Sequence, residues 1–384
     1  MNSSRINEID YNNIAHIKAC LLSDGVRVTE AFLNNYGAPF LEKRRAYGFS
    51  DPLSYKDTFL PQEIYLDNEG TICAVNIRES STWELDFDSG EFFLKSPVSK
   101  QIPITFPRKP NFYDVSISSS KKGMNIATLY GGSSLGIFVS GRCRLVDIGK
   151  ICKYCSIKVN HDQGVDFSNL IQAEEIYEVV KVALEKDTST IGQVMINGGN
   201  FPDPDKGFRI YTECCRAARK AIDESGVDVE LHLIAYPPEN LSLIDELKHL
   251  GVCIAMNTEV HDKKVFSNIC PGKDKDHILS SLKHAAKVLG RGRVFSILVG
   301  GLEELNSLDE GIDMLIKNDI VPVINVFHPD PGTELGKQKA PAASDIVSMG
   351  KILQSYYSKF GVNTPFYSKC GRNSIDFEAS KSMF

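Results

Sequence analysis

The feature that most constrains the fold is an alternation, from about residue 134 onward, of short β-branched runs with amphipathic stretches of helical period. The helical period is seen where apolar residues recur three or four apart, as at Phe208, Tyr211 and Cys215. Such an alternation is typical of βα units whose strands form a parallel sheet. The series predicts an α/β fold, a partial (β/α)6 TIM-like barrel. We expect its strands at residues 135–140, 192–196, 229–234, 253–258, 294–299 and 321–327.

The N-terminal third of the chain follows a different pattern. Two alternating runs within residues 83–94 are joined by a turn at 88–90, which predicts a β-hairpin with one exposed face. A helix is expected near residues 28–47. We therefore expect three parts: a small α+β N-terminal domain or lid over residues 1–130, the barrel over 131–340, and a C-terminal helix and tail over 341–384.

The composition excludes several classes of function. The chain has 384 residues, of which 42% are hydrophobic, and a formal net charge of −6. No run approaches the ~20 uninterrupted apolar residues of a membrane span, and the polar start lacks the pattern of a signal peptide. No basic run interleaved with aromatic residues indicates a nucleic-acid groove. We expect a cytoplasmic protein that acts on a small molecule, with neither nucleic acid nor membrane as partner.

Three of the ten cysteines are concentrated in one short segment. Cys143, Cys152 and Cys155 follow the first barrel strand in the spacing C-x8-C-x2-C. Active sites of parallel barrels lie at the carboxyl ends of the strands, where loops vary while strands hold position. Thiolate ligands favour zinc or iron–sulfur clusters over hard cations. Three cysteines would leave one iron of a cubane cluster open to a chelating ligand.

The same spacing permits two other interpretations. A structural zinc ion prefers a closed tetrahedral set of Cys and His ligands, and His161 would complete such a set with the three thiolates. A redox-active dithiol at Cys152 and Cys155 would leave Cys143 without a role. Local spacing alone does not choose among these sites.

Over roughly residues 112–340 the chain resembles the radical SAM superfamily, and the cluster loop is the first feature of the resemblance. Most members space the three cysteines as C-x3-C-x2-C with an aromatic residue before the last, a place that Tyr154 fills here. The resemblance implies that Tyr154 packs on the adenine of S-adenosylmethionine (SAM). The second feature is similar to a Gly-Gly-Glu turn that receives the SAM amino group, and it consists of Asn197, Gly198, Gly199 and Asn200.

Further features follow on successive strand ends, in the order found in the superfamily. Glu259 is the candidate for the ribose hydroxyls, and Lys273 and Arg293 are candidates for the SAM carboxylate. The segment with Gly300 and Glu303 is similar to the one that lies beside the adenine. The candidates for substrate binding or proton transfer near the ends of the third and sixth strands are Tyr236, His328 and Asp330.

The resemblance implies a [4Fe-4S] cluster whose open iron is chelated by SAM. The reduced cluster would cleave SAM to methionine and a 5′-deoxyadenosyl radical, which abstracts hydrogen from a small molecule in a rearrangement, cleavage or cyclisation. It also implies a flavodoxin- or ferredoxin-type electron donor. Sulfur insertion in the manner of biotin synthase would need a second cluster, with Cys214, Cys215 and Cys370 as ligands. A zinc-stabilised barrel without radical chemistry is the alternative from another class.

A narrower resemblance is to the biotin-synthase-like branch and, within it, to an uncharacterised radical SAM family encoded beside nitrilases. It rests on Phe112, on residues 125–131, and on the Pro-Gly-Lys and Gly-Leu-Glu elements. Members of that family tend to end in a cysteine-rich tail, of which this chain has only Cys370.

Overall fold

The computed structural model describes residues 9–43, 58–67, 70–162, 170–362 and 371–384. These residues form two compact units. The first unit comprises residues 1–109, 299–312 and 323–384, and the second comprises 110–298 and 313–322, in each case within the described ranges. The domain boundaries expected at residues 130 and 340 stay a prediction.

Most strands of a seven-stranded sheet belong to the second unit. The order of the strands in this sheet is β13-β12-β11-β10-β9-β8-β7. Every neighbouring pair from β8 to β12 is parallel, whereas β7 pairs antiparallel with β8. The sequence predicted the six strands β8 to β13 and the partial barrel, and both are confirmed; β7 was not predicted. The strands are β7 Ala127–Tyr130, β8 Ser134–Phe138, β9 Gln193–Asn197, β10 Glu230–Ile234, β11 Cys253–Ala255, β12 Val294–Gly300 and β13 Val321–Val326.

Helices connect these strands, as a series of βα units requires. The longest, α6, begins after Asp203, whose carboxylate accepts a hydrogen bond from the backbone of Lys206, and ends at Gly226 in the left-handed conformation. The helices of this series are α3 Arg144–Asp147, α4 Ile157–Asp162, α5 Ala173–Lys186, α6 Pro204–Ser225, α7 Ser242–Asp245, α8 Lys263–Ile269, α9 Lys275–Leu289 and α10 Leu305–Ile316.

The first unit contains the predicted β-hairpin. Its strands pair antiparallel and are joined by Ser89 and Gly90, which both have positive φ, as a two-residue hairpin turn requires. This unit combines a four-stranded sheet, β1-β4-β5-β6, with a two-stranded pair, β2-β3. The strands are β1 Arg27–Val28, β2 Glu63–Tyr65, β3 Ile72–Ala74, β4 Glu84–Asp88, β5 Glu91–Lys95 and β6 Gln101–Pro103.

The helix expected near residues 28–47 is much shorter in the structure. Helix α2 spans only Glu30–Asn35, capped by Thr29, because Tyr36 leaves the helix in an extended conformation and enters an aromatic core. The Tyr36 ring stacks on Phe40 with ring centroids 5.3 Å apart. Residues 44–47 lie outside the described residues. The remaining helices of the unit are α1 Ile14–Asp24, α11 Ala343–Phe360 and α12 Asp376–Ser380.

Two polar contacts hold the first unit together. In α1, the ammonium of Lys18 is fully buried and lies 2.8 Å from the Glu378 carboxylate of α12. On β4, Asp86 accepts a hydrogen bond from Thr29 at 2.6 Å and pairs with Lys95. Although burial opposes its ionisation, the hydrogen bonds from Lys95 and Thr29 hold the pKa of Asp86 below its usual range. The buried Lys18–Glu378 ion pair thus joins two helices, α1 and α12, that are far apart in sequence.

Candidate active site

The cluster loop, residues 140–155, leaves the carboxyl end of β8 and carries the three predicted cysteines. Cys143 immediately precedes helix α3, Cys152 is 7% exposed, and all three thiols are free. Burial raises the pKa of the Cys155 thiol to about 12, and the charges of Cys152 and Cys143 act on it in the same direction. The structure therefore brings the three side chains within electrostatic reach of one another.

The loop after β9 holds the cluster loop in place. Arg144 donates its backbone N–H to the Asn200 carbonyl at 2.7 Å, and the Tyr211 hydroxyl donates to the Gly199 carbonyl at 2.7 Å. A Cβ on Gly199 would lie 2.0 Å from the Arg142 carbonyl oxygen, and one on Gly198 would lie 2.9 Å from the Ser140 nitrogen. The glycines are needed because the cluster loop itself occupies the space that a side chain would take.

A second support comes from the turn after α8. Ile269 accepts a hydrogen bond from the backbone N–H of Lys153 at 2.9 Å. A Cβ on Gly272 would lie 2.6 Å from the Lys150 carbonyl oxygen, so this turn packs directly on the cluster loop. Between these two contacts lies Cys270, which has 0% exposure.

The Cys270 and Cys152 thiols lie near enough to affect each other's ionisation. Interaction with Cys270 lowers the pKa of the Cys152 thiol, against the opposing effect of burial. The same interaction, together with burial, raises the pKa of Cys270. Sequence analysis missed this interaction, since nothing in the spacing of the two residues indicates it.

Glu259, Lys273 and Tyr154 form a buried polar network beside the cysteines. The Glu259 carboxylate lies 2.5 Å from the Lys273 ammonium, and Glu259 is 2% exposed. Burial opposes the charged ammonium, yet the Glu259 carboxylate and the Cys152 and Cys270 thiols hold the pKa of Lys273 above its usual range. Burial and the nearby Glu259 carboxylate, to which the Tyr154 hydroxyl donates, raise the pKa of Tyr154.

Glu259 has an unusual backbone. Its φ of +61° lies in the left-handed region, which costs a side-chain-bearing residue of this kind about 1–3 kcal/mol and recurs at functional sites. Parallel bridging to Leu298 on β12 fixes it there, with its N–H donated to the Ile297 carbonyl at 3.0 Å.

A cavity of about 420 Å³ opens beside this network. Its lining includes Asn200, Tyr236, Asn257 and Lys273. Asn257 lines this cavity, and its side-chain oxygen is buried without a hydrogen-bond partner. An adjoining cleft of about 550 Å³, including its open mouth, shares Asn200 and Tyr236 and adds Glu239. Asn257 was missed as a candidate, although it comes two residues before Glu259 at the same strand end.

The remaining predicted residues are not all brought to this place. Arg293 precedes β12, at the opposite end of the parallel strands from the cysteines, and donates to the Gly251 carbonyl at 3.0 Å. The other predicted residues, Gly300, Glu303, His328 and Asp330, belong to the first unit. There Glu303 accepts a hydrogen bond from the Ser307 hydroxyl, and a Cβ on Gly300 would lie 2.6 Å from the Met349 sulfur. His328 lies 2.9 Å from the Asp330 carboxylate.

The donor set suits an iron–sulfur cubane better than a closed zinc site. Among the residues that the structure describes, no three His, Cys, Asp or Glu side chains converge on a point that a single metal ion would occupy. His161 instead lies 3.5 Å from Asp162, with its ring 39% exposed. A cubane holds its thiolate ligands on separate irons and needs three from the loop. Cys143, Cys152 and Cys155 supply that number, beside a cavity with an unpartnered acceptor.

Comparison with known proteins gives two curated relatives. A bacteriochlorophyllide c C-7(1)-hydroxylase of Chlorobaculum limnaeum is 27% identical over 363 residues, which is 90% of this chain and 85% of the relative. A biotin synthase of Clostridium botulinum is 25% identical over 240 residues, 61% of this chain and 67% of that one. No family model matches the chain.

Solved structures are also similar at low identity. Methylornithine synthase is 16% identical with a TM-score of 0.45, covering 61% of this chain and 64% of its own. Coproporphyrinogen III oxidase from Escherichia coli, a radical SAM enzyme, is 15% identical with a TM-score of 0.38, covering 62% and 54%. The chain therefore spans less than two thirds of these solved proteins, and with TM-scores below 0.5 we base no argument on them.

The parallel partial barrel, with three cysteines on the loop after its first parallel strand, and the two curated relatives together confirm the resemblance to the radical SAM superfamily. The cofactors of the chain are a [4Fe-4S] cluster and S-adenosylmethionine. The narrower resemblance to the family encoded beside nitrilases stays a prediction. Within the described residues, no helix has the length and apolar character needed to span a membrane.

Proposed function

We propose that the chain is an enzyme that uses SAM radical chemistry to abstract hydrogen from a small-molecule substrate. The observation that supports this most is the position of the cysteines: the loop of Cys143, Cys152 and Cys155 adjoins a polar cavity at the carboxyl end of the parallel strands. In this proposal the three thiolates hold three irons of the cluster. When bound and reduced, the cluster supplies the electron that cleaves SAM to methionine and a 5′-deoxyadenosyl radical.

The buried network of Tyr154, Glu259 and Lys273 has two tasks in this proposal. It excludes water from the side of the cluster loop, as radical chemistry requires, because all three side chains are buried or half-buried. It also places one ammonium beside the cavity, where Lys273 favours an anionic group such as the SAM carboxylate. Glu259, which pairs with Lys273 and Tyr154, would orient both side chains, and we propose that it binds the ribose hydroxyls of SAM.

Polar groups of the cavity wall would orient the bound molecules. The unpartnered Asn257 oxygen accepts a hydrogen bond from a ligand, and the Tyr236 hydroxyl, which accepts from the Asp274 backbone at 3.2 Å, is left with a proton to donate. We propose backbone contacts of SAM with Asn197, Gly198, Gly199 and Asn200, and with Gly300 and Glu303. His328 and Asp330 stay proposed substrate or proton-transfer groups. We do not extend the proposal to Arg293.

The reaction is proposed as a rearrangement, cleavage or cyclisation, with a flavodoxin- or ferredoxin-type electron donor. Hydroxylation is a second candidate, because the match to the hydroxylase relative covers 90% of this chain. Sulfur insertion gains support from the biotin synthase match, but Cys214 and Cys215 are both buried in α6, where burial raises the pKa of Cys214 to about 12. Cys370 lies outside the described residues.

The test is anaerobic reconstitution with iron and sulfide, followed by iron analysis, EPR spectroscopy and an assay of 5′-deoxyadenosine formed from SAM with dithionite. We expect about four irons per chain, and product that disappears in Cys152→Ala. Cys73→Ala is the matched control, because Cys73 is a fully buried free thiol of the first unit and is not part of the C-x8-C-x2-C spacing. Zinc without iron, or a cluster that never cleaves SAM, would contradict the proposal; iron well above four per chain would favour sulfur insertion.

A further inference from the structure

The outer face of the cluster loop presents an apolar side chain to solvent. Ile148 is 50% exposed, and in the part of the chain that the structure describes Val98 and Leu170 are the other exposed large hydrophobic residues. Ile148 directly follows α3, and the next residue, Gly149, turns the backbone with a φ of +65°. No atom of the described residues lies within 4 Å of a Cβ added at Gly149, so this turn projects into open space.

Cationic side chains surround Ile148 along the loop. Residues 142–153 contain two arginines and two lysines against one aspartate, so this segment carries a formal charge of +3 in a chain whose net charge is −6. Lys150 is exposed, and within the described ranges it has no ion-pair partner. The Arg144 guanidinium donates to the Pro202 carbonyl at 2.8 Å, a neutral group that leaves its charge in place. The positive charge of this face is therefore available to a partner.

Such a surface fits a protein better than a small ligand. It projects from the molecule and does not enclose a cavity, so a small molecule would make few contacts with it. The cations favour an acidic partner and raise its rate of encounter, while one apolar side chain offers a small contact area. Encounters between electron-transfer proteins are of this kind and typically bury less than about 1,200 Å².

The place of this surface in the chain indicates what such an encounter would achieve. Ile148 and Lys150 lie between Cys143 and Cys152, two of the three cysteines assigned to the cluster. Because electron transfer through protein slows steeply with distance, a carrier that reduces the cluster must dock beside the loop that holds it. An acidic electron carrier is therefore the occupant that both the charge and the position favour.

We propose that Ile148, Arg144 and Lys150 form a docking surface for an acidic electron-carrier protein of the flavodoxin or ferredoxin type. This inference rests on the proposed function, since it needs a cluster on this loop. In the docked pair the reduced carrier loses one electron and the cluster gains it. Dithionite, as a small reductant, needs no docking surface.

The first test measures the binding of a purified flavodoxin of net negative charge to the reconstituted holoenzyme, by anaerobic calorimetry at low and high salt. Lys150→Glu should weaken binding by about tenfold at ~0.05 M salt and by less than about twofold at ~0.5 M salt, because exposed charges are screened. Ile148→Ser should weaken binding by about threefold at both salt concentrations, since an apolar contact is not screened.

Lys287→Glu is the matched control, because it changes the net charge by the same amount at another exposed lysine of the second unit. Lys287 lies in the last turn of α9, which leads to the start of β12, at the opposite end of the parallel strands from the cluster loop. We expect this variant to bind flavodoxin like the wild type.

The second test follows the rate of cluster reduction in the same variants. At a flavodoxin concentration below saturation, Lys150→Glu should slow reduction by reduced flavodoxin by about tenfold at low salt. Its iron content and its reduction by dithionite should match those of the wild type, because the exposed side chain is not part of the cluster ligands.

The outcomes separate this inference from the proposed function. A wild-type chain that assembles no cluster, or whose cluster does not cleave SAM with dithionite, contradicts the proposed function. If the cluster assembles and Lys150→Glu binds flavodoxin like the wild type, only the inference fails. Equal losses in Lys150→Glu and Lys287→Glu would also refute it, since net charge would then explain the effect. Anionic phospholipid vesicles that bind the wild type but not Lys150→Glu, with no binding of flavodoxin, would overturn it by making this face a membrane contact.

Discussion

Replacement of Gly199 by alanine tests whether the loop after β9 supports the cluster loop. The new Cβ would lie 2.0 Å from the Arg142 carbonyl oxygen and 2.9 Å from the Cα of Cys143. Both neighbours are backbone atoms, so the chain beside the first cluster cysteine must move by about 1 Å to restore ordinary contact. Overpacking of this kind costs about 1–3 kcal/mol. For a unit of this size, that lowers the melting temperature by about 2–12 °C.

The assay combines thermal unfolding, followed by circular dichroism, with the iron content after reconstitution. Gly37→Ala is the matched control, because no atom lies within 4 Å of the Cβ that would be added there, and we expect a change within about 0.5 kcal/mol. Gly199→Ala should lose both thermal stability and iron, since the displaced segment carries Cys143. A Gly199→Ala variant that melts like the wild type and binds full iron would refute the steric reasoning.

Three further predictions concern charges in the two units. Lys18→Met should lower the free energy of unfolding by about 3–5 kcal/mol, because it leaves Glu378 buried without its partner. Urea unfolding, followed by the fluorescence of the single tryptophan, should show that most of this loss is recovered in the double variant Lys18→Met, Glu378→Gln. Asp86 has a lowered pKa in the folded state, so its contribution, about 1 kcal/mol, is present at neutral pH and disappears as the pH falls below about 4. Asp86→Asn should therefore lower stability at pH 7 and have little effect at pH 3; an equal effect at both would contradict this. Lys273→Met should lower the free energy of unfolding, measured by circular dichroism, by about 3–5 kcal/mol, and most of this loss should be recovered when Glu259→Gln is added. If the losses of the two single variants add in the double variant, the two side chains do not stabilise the fold as a pair.

The barrel was predictable because its strands are buried on both faces and form continuous apolar runs that alternate with amphipathic helices. Helix α1 was not predicted. It buries Lys18, and a buried lysine becomes acceptable only through Glu378, 360 residues away, a contact that no local pattern reveals. The helix expected over 28–47 is short because the aromatic core around Tyr36 overrides local helical preference.

At the candidate site, the cysteine spacing and the strand-end positions were enough to locate the cluster loop. Sequence reasoning considered Gly199 only as a contact of SAM and did not predict that the backbone of Arg142 packs closely against it. The proximity of Cys152 and Cys270 depends on how two loops pack after separate strands. Spacing along the chain carries no information about how these two residues come together.

The first unit is formed from segments that are far apart in the chain, and this affects the order in which the protein folds during its synthesis. Helix α1 leaves the ribosome long before α12, and Lys18 meets Glu378 only after a further 360 residues have been synthesised. At roughly 5–20 residues per second, the helix waits about 20–70 s for that partner. The second unit is largely one continuous segment, residues 110–298, and can pack while the first is still incomplete. Translation thus provides an interval in which residues 110–298, including the cluster loop, can fold before helix α12 completes the first unit.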